Sequence, residues 1–282
     1  MGNDVSYELK VLLIGCLYFV LSVLIGKLSS MKYLSTLTLL FYLLFSCNPA
    51  KKAKVSNAFF EAMDRNYLRV DSLLKEYPDS AVTENEKVYD IIRQHSKQLF
   101  LLPDTIYNGD ISIVVSADKK LCLVSWNTHL GGTLKWFESM ALFYTADGSL
   151  QTQMVQDNEH LFGEENSSSL IFYDTLYSFP AGKETLYIAY GTGQGSALLS
   201  WQQLSALAID GQKLLRKKVF PGNKSNWLVE FDISKLKREE IPMIEVMDSG
   251  RLVRMPIATD EGGFSFRYDL LEFRDSMFWV KK

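Results

Sequence analysis

The sequence predicts a mainly β protein: N-terminal membrane or signal segments, one or two amphipathic helices, then an antiparallel β sandwich or open barrel. Three observations lead there. Two apolar runs fill the first 46 residues, at 11–26 and 33–46. A stripe of apolar residues at helical spacing follows. From residue 110 onward, short β-branched, aromatic or leucine-rich runs alternate with turn-forming residues. The composition agrees, since 47% hydrophobic and 22% charged residues are ordinary for a globular chain. A formal net charge of -3 offers no basic field for nucleic acid, so that partner class is excluded.

Either apolar run alone is short of the roughly 20 residues that span a bilayer as a helix. The second run has the layout of a secretory signal. Met31 and Lys32 start it, the apolar stretch 33–45 follows, and the small Ser46 precedes Cys47. Leu44, Phe45, Ser46 and Cys47 resemble a lipobox, the motif of bacterial lipoproteins. The resemblance implies a signal peptide over 31–46, cleavage after Ser46 and a diacylglycerol on the Cys47 thiol. Phe45 is bulkier than the residue usual at its place. Asn48 follows the cysteine where aspartate would favour inner-membrane retention, so the resemblance implies a lipid-anchored outer-membrane protein, with the inner membrane as the alternative. The chain turns polar at once after Cys47, in "NPAKKAK". After Cys16 in the similar "LLIGC" it stays apolar, which disfavours that cysteine. Residues 1–30 are then either an over-extended start upstream of Met31 or an extra membrane segment, so the targeting region is 1–46 as a whole. Residues 47–54 read as the lipidated cysteine and a lysine-bearing tether near lipid head groups.

Residues 55–101 predict a helical neck. Phe59, Met63, Tyr67, Val70 and Leu74 form one stripe, Ser56 or Asn57 supplies a cap and Pro78 a stop. "LLKEYPDS" resembles one helix of a tetratricopeptide repeat, but no further copies follow. Val88, Ile91, Ile92 and Leu99 mark a second helix, which carries His95 as an ordinary helix residue.

The β-rich domain is expected over 110–282. "DISIVVSADKKLCLVSW" reads as two strands joined at Asp118 and Lys119. Further turns are expected around Asp147, Gly182, Asp210 and Asp248. Their uneven spacing leaves a small propeller-like meander as the alternative fold. Cys122 lies in an apolar strand and reads as a buried small hydrophobe.

"SADKKLCLVSWNTHLGGT" resembles a pattern of uncharacterised exported bacterial proteins and brings no activity with it. Gly131 and Gly132 allow a tight turn, and Trp126, Asn127, Thr128 and His129 stand just before it. These six residues are the candidate ligand-binding site; the structural alternative makes Trp126 a core anchor and Asn127 and Thr128 turn holders. Glycines 191, 193 and 195 miss the dinucleotide spacing, because Ser196 stands where the third glycine belongs. They are expected in a loop between strands. His95, His129 and His160 are scattered, with no metal-ligand spacing and no nucleophile beside them. No cofactor or metal is therefore expected. The sequence points to a non-catalytic binding or structural module whose ligand is a glycan or an envelope protein. The alternative is an exported hydrolase working through carboxylates.

Overall fold

A computed structural model describes residues 49–102, 105–131, 135–155, 171–236, 241–259 and 263–281. The predicted targeting region 1–46, with the signal peptide 31–46 and its Ser46, and the lipidation site Cys47 lie outside the described residues, as do Gly132 and His160. Among the described residues no helix is long and apolar enough to cross a membrane.

Among the described residues two helices come first, α1 (Pro49–Leu74) and α2 (Pro78–Leu99). The stripe predicted for α1 is the buried one over most of its length: Phe59, Met63, Tyr67 and Val70 are in the core, and Leu74 at its end is half-buried. Its start lies earlier than Ser56 or Asn57. Pro49 suits the first helical turn, and the lysines and alanines after it are good helix formers, so the predicted tether over 49–54 is helical. Pro78 sits in the first turn of α2, where a missing N–H costs nothing, and Asp79 and Lys97 complement the helix dipole. Across the pair, Asn66 Nδ2 donates to the Glu84 carbonyl at 2.8 Å. The half-turned-out Arg69 reaches the Glu84 carboxylate at 3.2 Å.

Fourteen strands follow among the described residues. The first sheet is a five-strand meander of β1 (Thr105–Asn108), β2 (Ile111–Val115), β3 (Leu121–Asn127), β4 (Phe137–Tyr144) and β5 (Leu150–Met154). The second holds β6 (Phe172–Ala181), β7 (Glu184–Gln194), β8 (Leu199–Asp210) and β10 (Asn226–Asp232) in the order β10-β8-β7-β6, and β9 (Lys213–Arg216) pairs with the far half of β8. The third runs β11 (Glu245–Met247), β12 (Leu252–Ala258), β13 (Phe264–Arg274) and β14 (Met277–Val280). Every pairing is antiparallel. The predicted mainly β class with amphipathic helices is therefore the observed one. No sheet among the described residues closes into a barrel.

The layers are helices, first sheet, second sheet, third sheet. Ile111, Ile113, Cys122, Val124, Trp126 and Met140 face α1 and α2. Their strand neighbours Val114, Leu121, Leu123, Ala141 and Phe143 face Tyr173, Tyr187, Ala189 and Leu207 of the second sheet. The other face of that sheet, with Leu186, Ile188, Leu204 and Ala206, meets Val253, Met255, Leu271 and Phe278 of the third. Two sheets are thus buried on both faces, which is why Ile111–Val115 and Leu121–Trp126 are buried without a break and are apolar except at Ser112 and Ser125. The predicted neck is one of these layers, inside a compact unit spanning Lys52–Lys282. Cys122 is fully buried, and burial pushes its thiol pKa up, so it is inert core.

A row of small polar residues locks the first two sheets. Ser112, Ser125 and Ser139 stand opposite one another on β2, β3 and β4, all fully buried. Ser139 Oγ donates to the Ile171 carbonyl at 3.1 Å, and the Tyr173 N–H donates to Ser125 Oγ at 3.0 Å. Serine is small enough to let the backbone at the start of β6 approach the sheet face. The Ser125 and Ser139 hydroxyls also bond each other at 2.8 Å, while Ser112 Oγ has no partner among the described residues.

Candidate functional site

The end of β3 carries the predicted site residues, and the structure separates them. Trp126 points to the helices and is fully buried, its ring 5.7 Å edge-on from Tyr89. Thr128 is buried and donates from Oγ1 to the Trp136 carbonyl at 3.0 Å. Gly131 is half-buried beside the undescribed Gly132.

His129 adopts a left-handed φ of 61°, a conformation in which histidine is over-represented. Its N–H donates to Asn127 Oδ1 at 3.1 Å, a local turn of the Asx kind. The ring lies parallel to Tyr67 of α1, 4.8 Å between centroids and 13° between planes. Nδ1 is 2.8 Å from Asp71 Oδ1, and Nε2 is 3.5 Å from Asp110 Oδ1. Tyr67 closes the circuit by donating from its hydroxyl to the Asp110 carbonyl at 3.2 Å. The histidine ties α1 to the turn between β1 and β2. No group of three metal-ligating side chains occurs among the described residues.

Asn127 belongs to both the hairpin and a neighbouring cleft. Its Nδ2 donates to Asp110 Oδ1 at 3.1 Å, and its N–H donates to the Asp110 carbonyl at 2.9 Å. Both residues line an open cleft of about 330 Å³ where the ends of the first and second sheets meet. That volume lies at the small end of the range for ligand pockets. The first sheet contributes Asp110, Asn127, Lys135 and Phe137. The Lys135 N–H donates to the Gln194 carbonyl at 3.3 Å, joining the two sheets at that edge.

Strand register arranges the rest. Phe172, Thr192 and Gln202 are consecutive partners across β6, β7 and β8. One step further out, Gln194, Ser200 and Phe231 are partners across β7, β8 and β10. These six side chains continue the face that carries Ile188, Tyr190 and Leu204, so a polar floor lies between aromatic sides. Gln202 is structural: its Nε2 donates to the Pro242 carbonyl at 2.9 Å, and its Oε1 accepts the Ile244 N–H at 2.7 Å. It thereby pins the segment carrying Ile241 and Met243 against the far side of the cleft.

The sequence reading missed Phe137, Thr192, Gln194, Ser200 and Phe231. The nearest signal is the alternation in "YGTGQ", which also holds glycines of the failed dinucleotide spacing. Gly191 and Gly193 in fact lie within β7, with Gly195 in the bend beyond it. A side chain on Gly195 would stand 2.7 Å from the Trp201 ring, so that glycine seats the tryptophan.

Behind Phe172, β6 is bulged between Tyr173 and Thr175. Asp174 sits at the bulge, and burial raises its carboxyl pKa from 3.8 to about 6, opposed by a hydrogen bond from Thr175 Oγ1 at 2.9 Å. The folded protein therefore holds this proton more tightly than the unfolded chain. The favourable contribution is full below about pH 4 and is lost as pH rises through about 6. Asp174→Asn keeps the Thr175 bond without the charge. It is expected to stabilise the protein by about 2–3 kcal/mol at pH 8, a gain that vanishes near pH 4. Urea unfolding across that range checks it; an equal effect at both ends would refute the linkage.

No protein family, no curated protein and no solved structure matches this chain.

Proposed function

We propose that the chain is a bacterial envelope lipoprotein, lipidated on the Cys47 thiol and then cleaved behind Ser46, whose β domain is a non-catalytic binding module. The cleft at the sheet ends carries the binding half of this reading. It offers aromatic sides and a floor on which Thr192, Gln194 and Ser200 have side-chain polar atoms with no hydrogen-bond partner among the described residues. Polar groups left open in a concave site are what a ligand completes. The anchor half rests on the lipobox-like run and the polar turn after Cys47. Asn48 favours the outer membrane, with the inner membrane as the alternative. A carboxylate-based hydrolase would need a second acid facing Asp110.

Fatty-acid labelling of wild type and Cys47→Ala in a bacterial host, with the mature mass measured, tests the anchor. Label on wild type alone, at a mass beginning at residue 47, is expected. No label, with residues 1–46 retained, would overturn the lipoprotein reading and favour a membrane segment at 11–26.

A further inference from the structure

We infer that the cleft is a saccharide site, taking one or two uncharged sugar rings. The inference rests on the proposal that this cleft binds a ligand, and it names the ligand class. Four features of the cleft converge on it.

The first is the alternation of surface. A sugar ring has an apolar face of C–H groups and an equator of hydroxyls. The cleft has the complementary layout. Phe137, half-buried at the start of β4, stands at one side, and Phe231 of β10 stands at the other. Thr192, Gln194 and Ser200 occupy the floor between them. The aromatic Phe172 of β6 and the strand β10 are three strand spacings apart, about 14 Å between backbones. That is wide enough for a ring lying across the floor.

The second is rigidity. Phe137 is held from behind by Phe172, 5.2 Å between centroids, and Phe231 by Phe264, 5.4 Å. Platforms fixed before binding spare the ligand the entropy of ordering them.

The third is the charge balance. Asp110 and Lys135 both line the cleft, one of each sign. Asp110 Oδ1 already takes the Asn127 amide, so the site has no net charge to recognise phosphate or a polycation.

The fourth discriminates against other neutral ligands. A lipid chain wants a continuous apolar floor, and the floor here carries the hydroxyls of Thr192 and Ser200 and the amide of Gln194. An extended peptide docks on a free strand edge through backbone groups. At this end of the interior strand β7, past its pairing with Phe172 of β6, the Gln194 carbonyl is already taken by the Lys135 N–H.

The test titrates the full chain, kept in a non-glycosidic detergent, with cellobiose, maltose and N,N'-diacetylchitobiose. Ligand-observed saturation-transfer NMR and calorimetry report binding. At least one disaccharide is expected to saturate with a dissociation constant below about 1 mM, its ring C–H protons receiving the strongest transfer. Phe137→Ala and the paired Thr192→Val, Ser200→Ala variant are each expected to weaken it at least tenfold. The paired variant should keep its thermal midpoint, which separates lost contacts from lost fold. No saturation by any of the three sugars, or binding unchanged in both variants, would overturn the inference. Those results would leave the lipoprotein reading to its own labelling test. Growth of reducing-end signals during the titration would uphold a saccharide site and overturn the non-catalytic reading instead.

Discussion

Trp126→Ala is expected to lower the unfolding free energy by about 3–5 kcal/mol, the range for deleting a large aromatic from a packed core. Trp126 is fully buried on the helix-facing side of β3, beside Tyr89 of α2 and between Ile111 and Glu138 on the neighbouring strands. The rigid strands around it have little freedom to collapse into the space. Trp126→Phe provides the contrast. The indole N–H has no hydrogen-bond partner among the described residues, so phenylalanine keeps most of the packing and removes a buried, unpaired donor. Its expected cost is about 1 kcal/mol, well under that of a tryptophan whose N–H is paired. Urea midpoints at constant m-value measure both. Equal losses for the two variants would mean that the N–H, and not the ring, holds the site. A loss under about 1 kcal/mol for alanine would place Trp126 outside the core.

That prediction also marks where sequence reading served well. Core and turns are local properties, and they were legible. The turns at Asp118, Asp147, Gly182, Asp210 and Asp248 fall at β2–β3, β4–β5, β6–β7, β8–β9 and β11–β12. The chemistry at Asp118 explains why. Its Oδ1 accepts from Ser116 Oγ at 2.6 Å and from the Lys120 N–H at 3.1 Å, which leaves Lys119 left-handed at φ 56°. Asp147 does the same with Thr145 and Ser149, and those hydrogen bonds hold its carboxyl near a pKa of about 2. The hairpin between β1 and β2 falls across the start of the predicted β region at residue 110 and so escapes it, although Asn108-Gly109 is a strong turn signal.

The stacking of three sheets was harder to read. A strand buried on two faces looks like any apolar run, and nothing in "LCLVSW" says which layer covers each side. The cleft was least legible of all. Asn127 was named from the hairpin end, but Thr192, Gln194, Ser200 and Phe231 become neighbours only through pairings among β7, β8 and β10. Single-strand patterns carry no record of register between strands. His129 drew notice as a candidate ligand contact, and its partners Asp71 and Tyr67 come from a helix some sixty positions earlier.

Gly191→Ala is expected to unfold the β6 junction and to abolish the proposed saccharide binding with it. The glycine is not needed for an unusual φ. It is needed because an added Cβ would lie 2.5 Å from the Phe172 carbonyl oxygen and 2.6 Å from Ile171 Cγ2. The first of those atoms is backbone and cannot rotate away. Relief requires the start of β6 to move off β7, yet Ser125 and Ser139 hold that same segment from the other side at 3.0 and 3.1 Å. One methyl group thus sets two sheets against each other, and overpacking of this kind costs about 3 kcal/mol or more. Phe172 moves with the segment, so the ring behind Phe137 is lost and the cleft loses its nearer side. Gly148→Ala is the control, for that turn glycine has φ 81° and open space around its would-be Cβ. Its cost is confined to a left-handed alanine, about 1 kcal/mol, and the cleft should be untouched. If the two variants fall equally in urea, the close approach of β6 to β7 is not what the glycine protects. If Gly191→Ala loses stability while binding persists, Phe172 is no part of the site.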